Sequence, residues 1–121
     1  MKKLGELVVL GAGGFSAEVI EAAELAGWHV VRLYDDDPAA LGRNVMGKTC
    51  VGPLRDMENG PKSAFIFAIG NNSVRQRLSS AMENAGHVAA TVIHPGATVS
   101  TTAALGAGSY VAAGAFVNRV S

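Results

Sequence analysis

Three short stretches combine residue types and positions able to hold a ligand. The first is Gly11-Ala12-Gly13-Gly14-Phe15-Ser16, directly after the apolar run Leu7-Val8-Val9-Leu10. Gly11 and Gly13 permit a tight turn and close backbone approach, and Gly14 adds room. Between a strand and a helix, such a loop turns backbone N–H groups and the positive end of a helix dipole toward an anion. It falls one residue short of the dinucleotide-binding glycine fingerprint, because Ser16 stands where a third glycine or alanine belongs. The second stretch is Asp35-Asp36, at the end of the next apolar segment. Carboxylates there accept from ribose hydroxyls or from a base N–H such as that of uracil. The competing reading is a solvated turn, since Asp35-Asp36-Asp37-Pro38 is good turn chemistry. The third is Gly70-Asn71-Asn72, whose amides can reach a base, a ribose or a sugar. Asn72 or Ser73 also suits the N-cap of a following helix.

The flanking segments supply the elements that position these groups. Glu6 to Leu10 reads as a buried strand stopped by glycine. Ser16 to Ala26 has helical spacing, with Val19, Ile20, Ala22, Ala23 and Ala26 on one side and Glu18, Glu21 and Glu24 on the other. Gly27 then offers a left-handed stop, and Trp28 to Tyr34 is a second strand. That order makes a parallel pair with a crossover helix. Leu41 to Pro61 is rich in glycine and proline and reads as loop with a short strand near Cys50. Ala64 to Ile69 is a further strand. A helix from Ser73 to Ala85 follows, with Val74, Leu78, Ala81, Met82 and Ala85 on one face and Gly86 at its end. Val88 to Ile93 is another strand, closed by His94-Pro95.

Past that point the periodicity changes. Ile93, Val99, Leu105, Val111 and Val117 recur every six residues, and small residues (Ala97, Ala103, Ser109, Ala115) stand four places after the first four. Neither a helix nor an ordinary strand has that period, whereas a hexapeptide β-solenoid does. The expected fold is α/β: a short Rossmann-like parallel sheet over residues 1–92, then the first one to two coils of a left-handed parallel β-helix over 93–121.

Composition narrows the function classes. Ten basic and ten acidic residues cancel among 121, so the chain lacks the basic field that draws nucleic acid or anionic lipid. The single Cys50 can form no internal disulfide, and no CxxC-type spacing indicates a metal. No apolar run is long enough for a signal peptide or a membrane span. These features point to the cytoplasm, with no metal cofactor. His29 and His87 fall near strand starts, His94 suits packing at the junction, and Arg75, Arg77 and Trp28 need no special role.

The order "GAGGFS", "LYDDDP", "AIGNNSVRQRL", "TVIHPGATVS" and hexapeptides resembles the bacterial sugar acyltransferases, which include sialic-acid O-acetyltransferases and the pilin- and flagellin-glycosylation N-acetyltransferases. The resemblance implies that the α/β part grips a nucleotide-linked sugar, usually a UDP-sugar, through Gly11, Gly13, Gly14, Phe15, Ser16, Asp35, Asp36, Gly70, Asn71 and Asn72. It implies a β-helix that forms a homotrimer and binds acetyl-CoA between neighbouring coils. A histidine on that helix then acts as general base while acetyl passes to an amino or hydroxyl group. Members usually carry His-Gly where this chain has Phe15-Ser16. Phe15 cannot donate to a phosphate as imidazole does, while Ser16 offers its hydroxyl to a phosphate or to the helix cap. The family's catalytic histidine and coenzyme groove lie farther along than Ser121, so the resemblance implies a truncated enzyme with no catalytic residue of its own. Two other readings remain open. An NAD(P)-binding regulatory or dehydrogenase domain is suggested by the near-fingerprint and an acidic residue about twenty places on. A non-catalytic oligomerisation module is suggested by the open end of a solenoid.

Overall fold

The computed structural model describes residues 3–100, 105–106 and 108–117. Strand β1 (Gly5–Leu10) leads through the glycine loop into helix α1 (Ser16–Leu25), and β2 (Trp28–Tyr34) returns beside it. A 3-10 turn at Pro38–Ala40 and a hairpin of β3 (Asn44–Val45) and β4 (Lys48–Thr49) follow, then the short helix α2 (Leu54–Glu58). Strand β5 (Ala64–Phe67), helix α3 (Asn72–Asn84) and β6 (Val88–Ala89) complete the α/β part. The sheet order is β2-β1-β5-β6, parallel throughout.

Alternation along β1 separates two cores. Leu7 and Val9 join Val19, Ile20, Ala22 and Ala23 of α1 on one face. Val8 and Leu10 join Leu54 and Met57 of α2 and Met82 of α3 on the other. Burying one such aliphatic side chain contributes roughly 1.5–3 kcal/mol, so a central strand sealed on both faces anchors the layer. Gly27 (φ 111°) and Gly86 (φ 94°) follow the two long helices in the left-handed conformation expected of them.

Several expectations shift. The mostly loop segment after Leu41 also carries a hairpin and a short helix, because elements of two and five residues are too short to show a period. Met46 (φ 52°) and Gly47 (φ 82°) make its tight turn, and the Asn44 side chain accepts from the Gly47 N–H at 3.0 Å. The short strand expected near Cys50 is β4, and Cys50 itself adds one parallel bridge with Leu33. The Val88 to Ile93 strand is two strands, β6 and β7 (Val92–Ile93), the second of which leaves the sheet.

Strands β7, β8 (Thr98–Val99), β9 (Tyr110–Val111) and β10 (Phe116–Val117) carry the hexad segment. β7 pairs in parallel with β9 and β8 with β10, in register at a separation of 18 residues, so Ile93 lies beside Val111 and Val99 beside Val117. Three hexads make one coil of a solenoid, and this pairing repeats once per coil. Ala103 and the side chain of Val117 lie outside the described residues. Val92 is fully buried in the same cluster as α1, with Tyr110 packed against it, so the first coil rests on the α/β layer.

Gly11 shows how tightly β1 and β5 meet at their carboxyl ends. Its φ is +118°, and a Cβ there would lie 2.7 Å from the Ala68 carbonyl oxygen. Gly11→Ala is expected to destabilise the chain by roughly 2–4 kcal/mol through strained backbone and a backbone clash. Urea unfolding of the two proteins measures it, and an unchanged midpoint would contradict the packing described.

Candidate functional site

β1 pairs with β2 on one side and β5 on the other. The chain therefore reverses direction across the sheet at β1, and the crevice outside the carboxyl ends at such a point is where open α/β sheets take ligands. The glycine loop, Asp35-Asp36 and Gly70-Asn71-Asn72 all reach this edge, so the structure brings the three expected stretches together. A hollow of about 370 Å³ opens there, bordered by Gly11, Gly13, Asp35, Asp36, Ala68 and Arg77. A second, about 340 Å³, lies between the loop and the first coil, with Phe15, Phe67, Asn72, Arg75, Ser109 and Tyr110 on its walls.

Polar contacts divide the loop into committed and open groups. The Gly11 N–H donates to the Tyr34 carbonyl at 2.7 Å. The Ala12 N–H donates to Asp35 Oδ2 at 2.8 Å, and Arg43 Nη1 donates to the Ala12 carbonyl at 2.7 Å. Ser16 is buried, and its hydroxyl donates to the Gly13 carbonyl at 2.6 Å. That hydroxyl closes the turn and makes no cap on α1, whose N-cap Phe15 has no side-chain hydrogen bond. The N–H groups of Gly13, Gly14 and Phe15 have no acceptor among the described residues, and all three residues are exposed. They stand at the N-terminus of a ten-residue helix, where backbone donors and the helix dipole together favour negative charge.

The acidic pair is more structural than its position suggests. Asp35 spends Oδ2 on Ala12 and Oδ1 on the Asp37 N–H, each at 2.8 Å. Asp36 Oδ1 accepts from the Leu54 N–H at 2.8 Å and so holds the start of α2. Asp37 caps the 3-10 turn, accepting from the Ala39 N–H at 2.9 Å. At the third stretch, Asn71 and not Asn72 caps α3, through Oδ1 and the Val74 N–H at 3.0 Å. Asn72 Oδ1 accepts from Arg75 Nη2 and faces the second hollow.

The histidines are accounted for by backbone. His87 is buried; its Nδ1 accepts from the Ser63 N–H at 3.1 Å and its Nε2 faces the Glu58 carbonyl at 3.2 Å. His94 Nδ1 accepts from the Gly96 N–H at 2.8 Å, tying its own turn. His29 is exposed at the amino end of β2, the opposite edge from the loop. Among the described residues no three His, Cys, Asp or Glu side chains cluster as metal ligands.

Two contacts escaped sequence reasoning. Arg43 reaches the loop from a hairpin with no periodic signal. Tyr110 precedes the hexad residue Val111, and an aromatic at an outward solenoid position was the available clue. Its ring meets Phe15 edge-on, with centroids 5.6 Å apart and planes at 81°, and its hydroxyl donates to Glu18 Oε2 at 2.7 Å. The first coil is thereby fastened to both the glycine loop and α1.

A parallel sheet with a glycine loop at its switch point, continued by strands that pair in parallel at a separation of 18 residues, defines an α/β class of protein. A family model described as the PglD N-terminal domain matches residues 6–82. The chain belongs to that family, among the sugar acyltransferases. Its structure is similar to perosamine N-acetyltransferase from Caulobacter crescentus, solved in complex with CoA and GDP-perosamine, at 34% identity and a TM-score of 0.82 over 96% of this chain and 55% of that one. It is also similar to the acetyltransferase domain of PglB from Neisseria gonorrhoeae, at 33% identity and a TM-score of 0.82 over 92% of this chain and 55% of that one. The chain thus spans about half the length of these relatives. A Rex-family repressor at 16% identity and a TM-score of 0.61 shares the fold alone. Among curated proteins no sequence matches. No described helix is long and apolar enough to cross a membrane.

Burial, the bond to Glu18 and the negative charges of Glu18 and Glu21 push the Tyr110 phenol well above its usual range. Because folding raises the pKa of this phenol and so suppresses its ionisation, the contact stabilises fully below pH about 10, the ordinary phenol value, and is lost as pH rises beyond it. Absorbance titration at alkaline pH should show a late-ionising phenol that disappears in Tyr110→Phe. A curve that Tyr110→Phe leaves unaltered would contradict the contact.

Proposed function

We propose that these residues form the nucleotide-sugar-binding part of an acetyl-CoA-dependent sugar acetyltransferase. The observation that carries this reading is the row of free N–H groups at Gly13, Gly14 and Phe15, opening on the switch-point crevice. A diphosphate fits it, because it is anionic and presents several acceptor oxygens. Gly11 shapes the turn, Phe15 contributes its backbone, and Ser16 keeps the turn closed. Asp36, with one carboxylate oxygen uncommitted, receives a base or ribose donor, while Asp35 orders the loop. Gly70, Asn71 and Asn72 border the sugar end. The relatives' complexes with CoA and GDP-perosamine, and with acetyl coenzyme A, support both halves of the reading.

UDP is the diphosphate carrier expected from family resemblance, and GDP is its competitor, given the relative that holds GDP-perosamine. Residues 1–92 make the binding domain and 93–121 the start of a left-handed β-helix. In the complete enzyme, three copies pack along that helix and hold acetyl-CoA between coils. Both activated substrates belong to the cytoplasm, where the reaction is placed.

In the reaction itself these residues orient the sugar; none of them removes its proton. His87 is enclosed by backbone, His94 is committed to its turn, and His29 is at the far edge. Calorimetric titration with UDP, GDP and their sugar conjugates should give millimolar or tighter binding of at least one, shifting the amide resonances of Gly13 and Gly14. A preparation of these 121 residues alone should release no CoA above background from acetyl-CoA. Silence toward every nucleotide, or enhanced NADH fluorescence in its place, would sink the binding assignment; brisk acetyl transfer would sink the division of labour.

A further inference from the structure

Arg43 arrives from the β2–β5 insertion, yet its Nη1 donates to the Ala12 carbonyl at 2.7 Å, across 31 sequence positions. The Ala12 N–H in turn donates to Asp35 Oδ2 at 2.8 Å. Two successive peptide planes of the loop, Gly11–Ala12 and Ala12–Gly13, are each anchored by a charged side chain. A trans peptide is planar, so its C=O and N–H point in opposite directions, and the described residues contain no cis bond. Holding the Ala12 oxygen on a cation therefore aims the Gly13 N–H the other way. Ala12 is buried at 1% exposure, whereas Gly13 is exposed and its N–H has no acceptor among the described residues. Bonding the carbonyl to a guanidinium also polarises that peptide and strengthens its N–H as a donor, since linked hydrogen bonds reinforce one another.

The guanidinium is itself delivered from ordered backbone. The Arg43 N–H donates to the Ala40 carbonyl and the Arg43 carbonyl accepts from the Cys50 N–H, each at 2.9 Å. Cys50 is buried and bridges Leu33 of β2. Among the described residues the ion pair joins Lys48 to Glu24 at 3.0 Å, and no carboxylate there pairs with Arg43. The loop's own side chains are otherwise engaged: Phe15 packs on Tyr110 and Ser16 bonds to Gly13.

We propose that Arg43 is a positioning residue for nucleoside-diphosphate binding, acting through the Ala12 carbonyl to set the direction and strength of the Gly13 N–H donor. This rests on the reading of the glycine loop as a diphosphate grip. Asp35 fixes the preceding peptide and Arg43 fixes the one whose N–H meets the ligand.

The test titrates the 121-residue chain with UDP and GDP, and with uridine and guanosine as phosphate-free probes. Arg43→Ala is expected to weaken whichever diphosphate the wild type binds by about 10- to 100-fold, the range for a lost charge-assisted hydrogen bond, and to leave the matching nucleoside unchanged. Arg43→Lys, which keeps charge and donor, should recover most of that loss. In the ligand-free protein the Gly13 amide resonance should move in Arg43→Ala and return toward its wild-type position in Arg43→Lys. Should Arg43→Ala fail to fold, Arg43→Gln keeps a neutral donor and should show a smaller loss with the same selectivity. Unchanged diphosphate affinity beside a wild type that binds, or an equal loss for nucleoside and diphosphate, overturns the role of Arg43 and leaves the grip standing. A wild type silent to both diphosphates overturns the grip, and the role of Arg43 with it.

Discussion

Strand β1 has neighbours on both edges and hydrophobic cores on both faces, so it cannot shift without breaking two layers of packing. Its carboxyl end must leave the sheet between β2 and β5, where the Ala68 carbonyl stands in the way of any Cβ at position 11. Only glycine fits that space, and only glycine adopts its φ of +118° without strain. Everything that makes the crevice follows from this exit: the tight loop, the helix whose N-terminus faces the gap, and the return strand that brings Asp35 alongside.

The loop then turns on an accounting of backbone polar groups. Buried N–H and C=O groups must find partners, and Tyr34, Asp35 and Arg43 satisfy the ones that point inward. What is left are the outward donors of Gly13, Gly14 and Phe15, open to water in the free protein. A site assembled this way is ordered before any ligand arrives, so binding loses less conformational freedom than closing a floppy loop would. Phe15 and Ser16 serve packing and turn closure.

The first coil is more than an appendage. Val92 is sealed beneath α1, and Tyr110 touches both Phe15 and Glu18. Individually these contacts are modest; an aromatic pair contributes about 0.5–1.5 kcal/mol beyond its buried area. Together they fix the direction of the paired β7 and β9 strands relative to the loop, because an apolar plug, a ring contact and a hydrogen bond act at separate points.

Local and periodic features were legible in the sequence itself. The apolar run and β-branching of Leu7 to Leu10, the helical faces around Ile20 and Met82, the glycine stops and the six-residue repeat all depend on neighbours a few positions apart, and the first strand and the two long helices appeared close to where their patterns lie. The three loop stretches at one sheet edge were legible too, since parallel strands put every βα loop on the same side. What tertiary structure alone decided is which polar groups remain free. Asp35 and Asp36 read as ligand contacts, yet spend oxygens on Ala12, Asp37 and Leu54. Arg43 carries no local signal, yet holds a peptide 31 residues away. Period and propensity are properties of a segment, whereas the pairing of a donor with an acceptor depends on distances that exist only once the segments have packed.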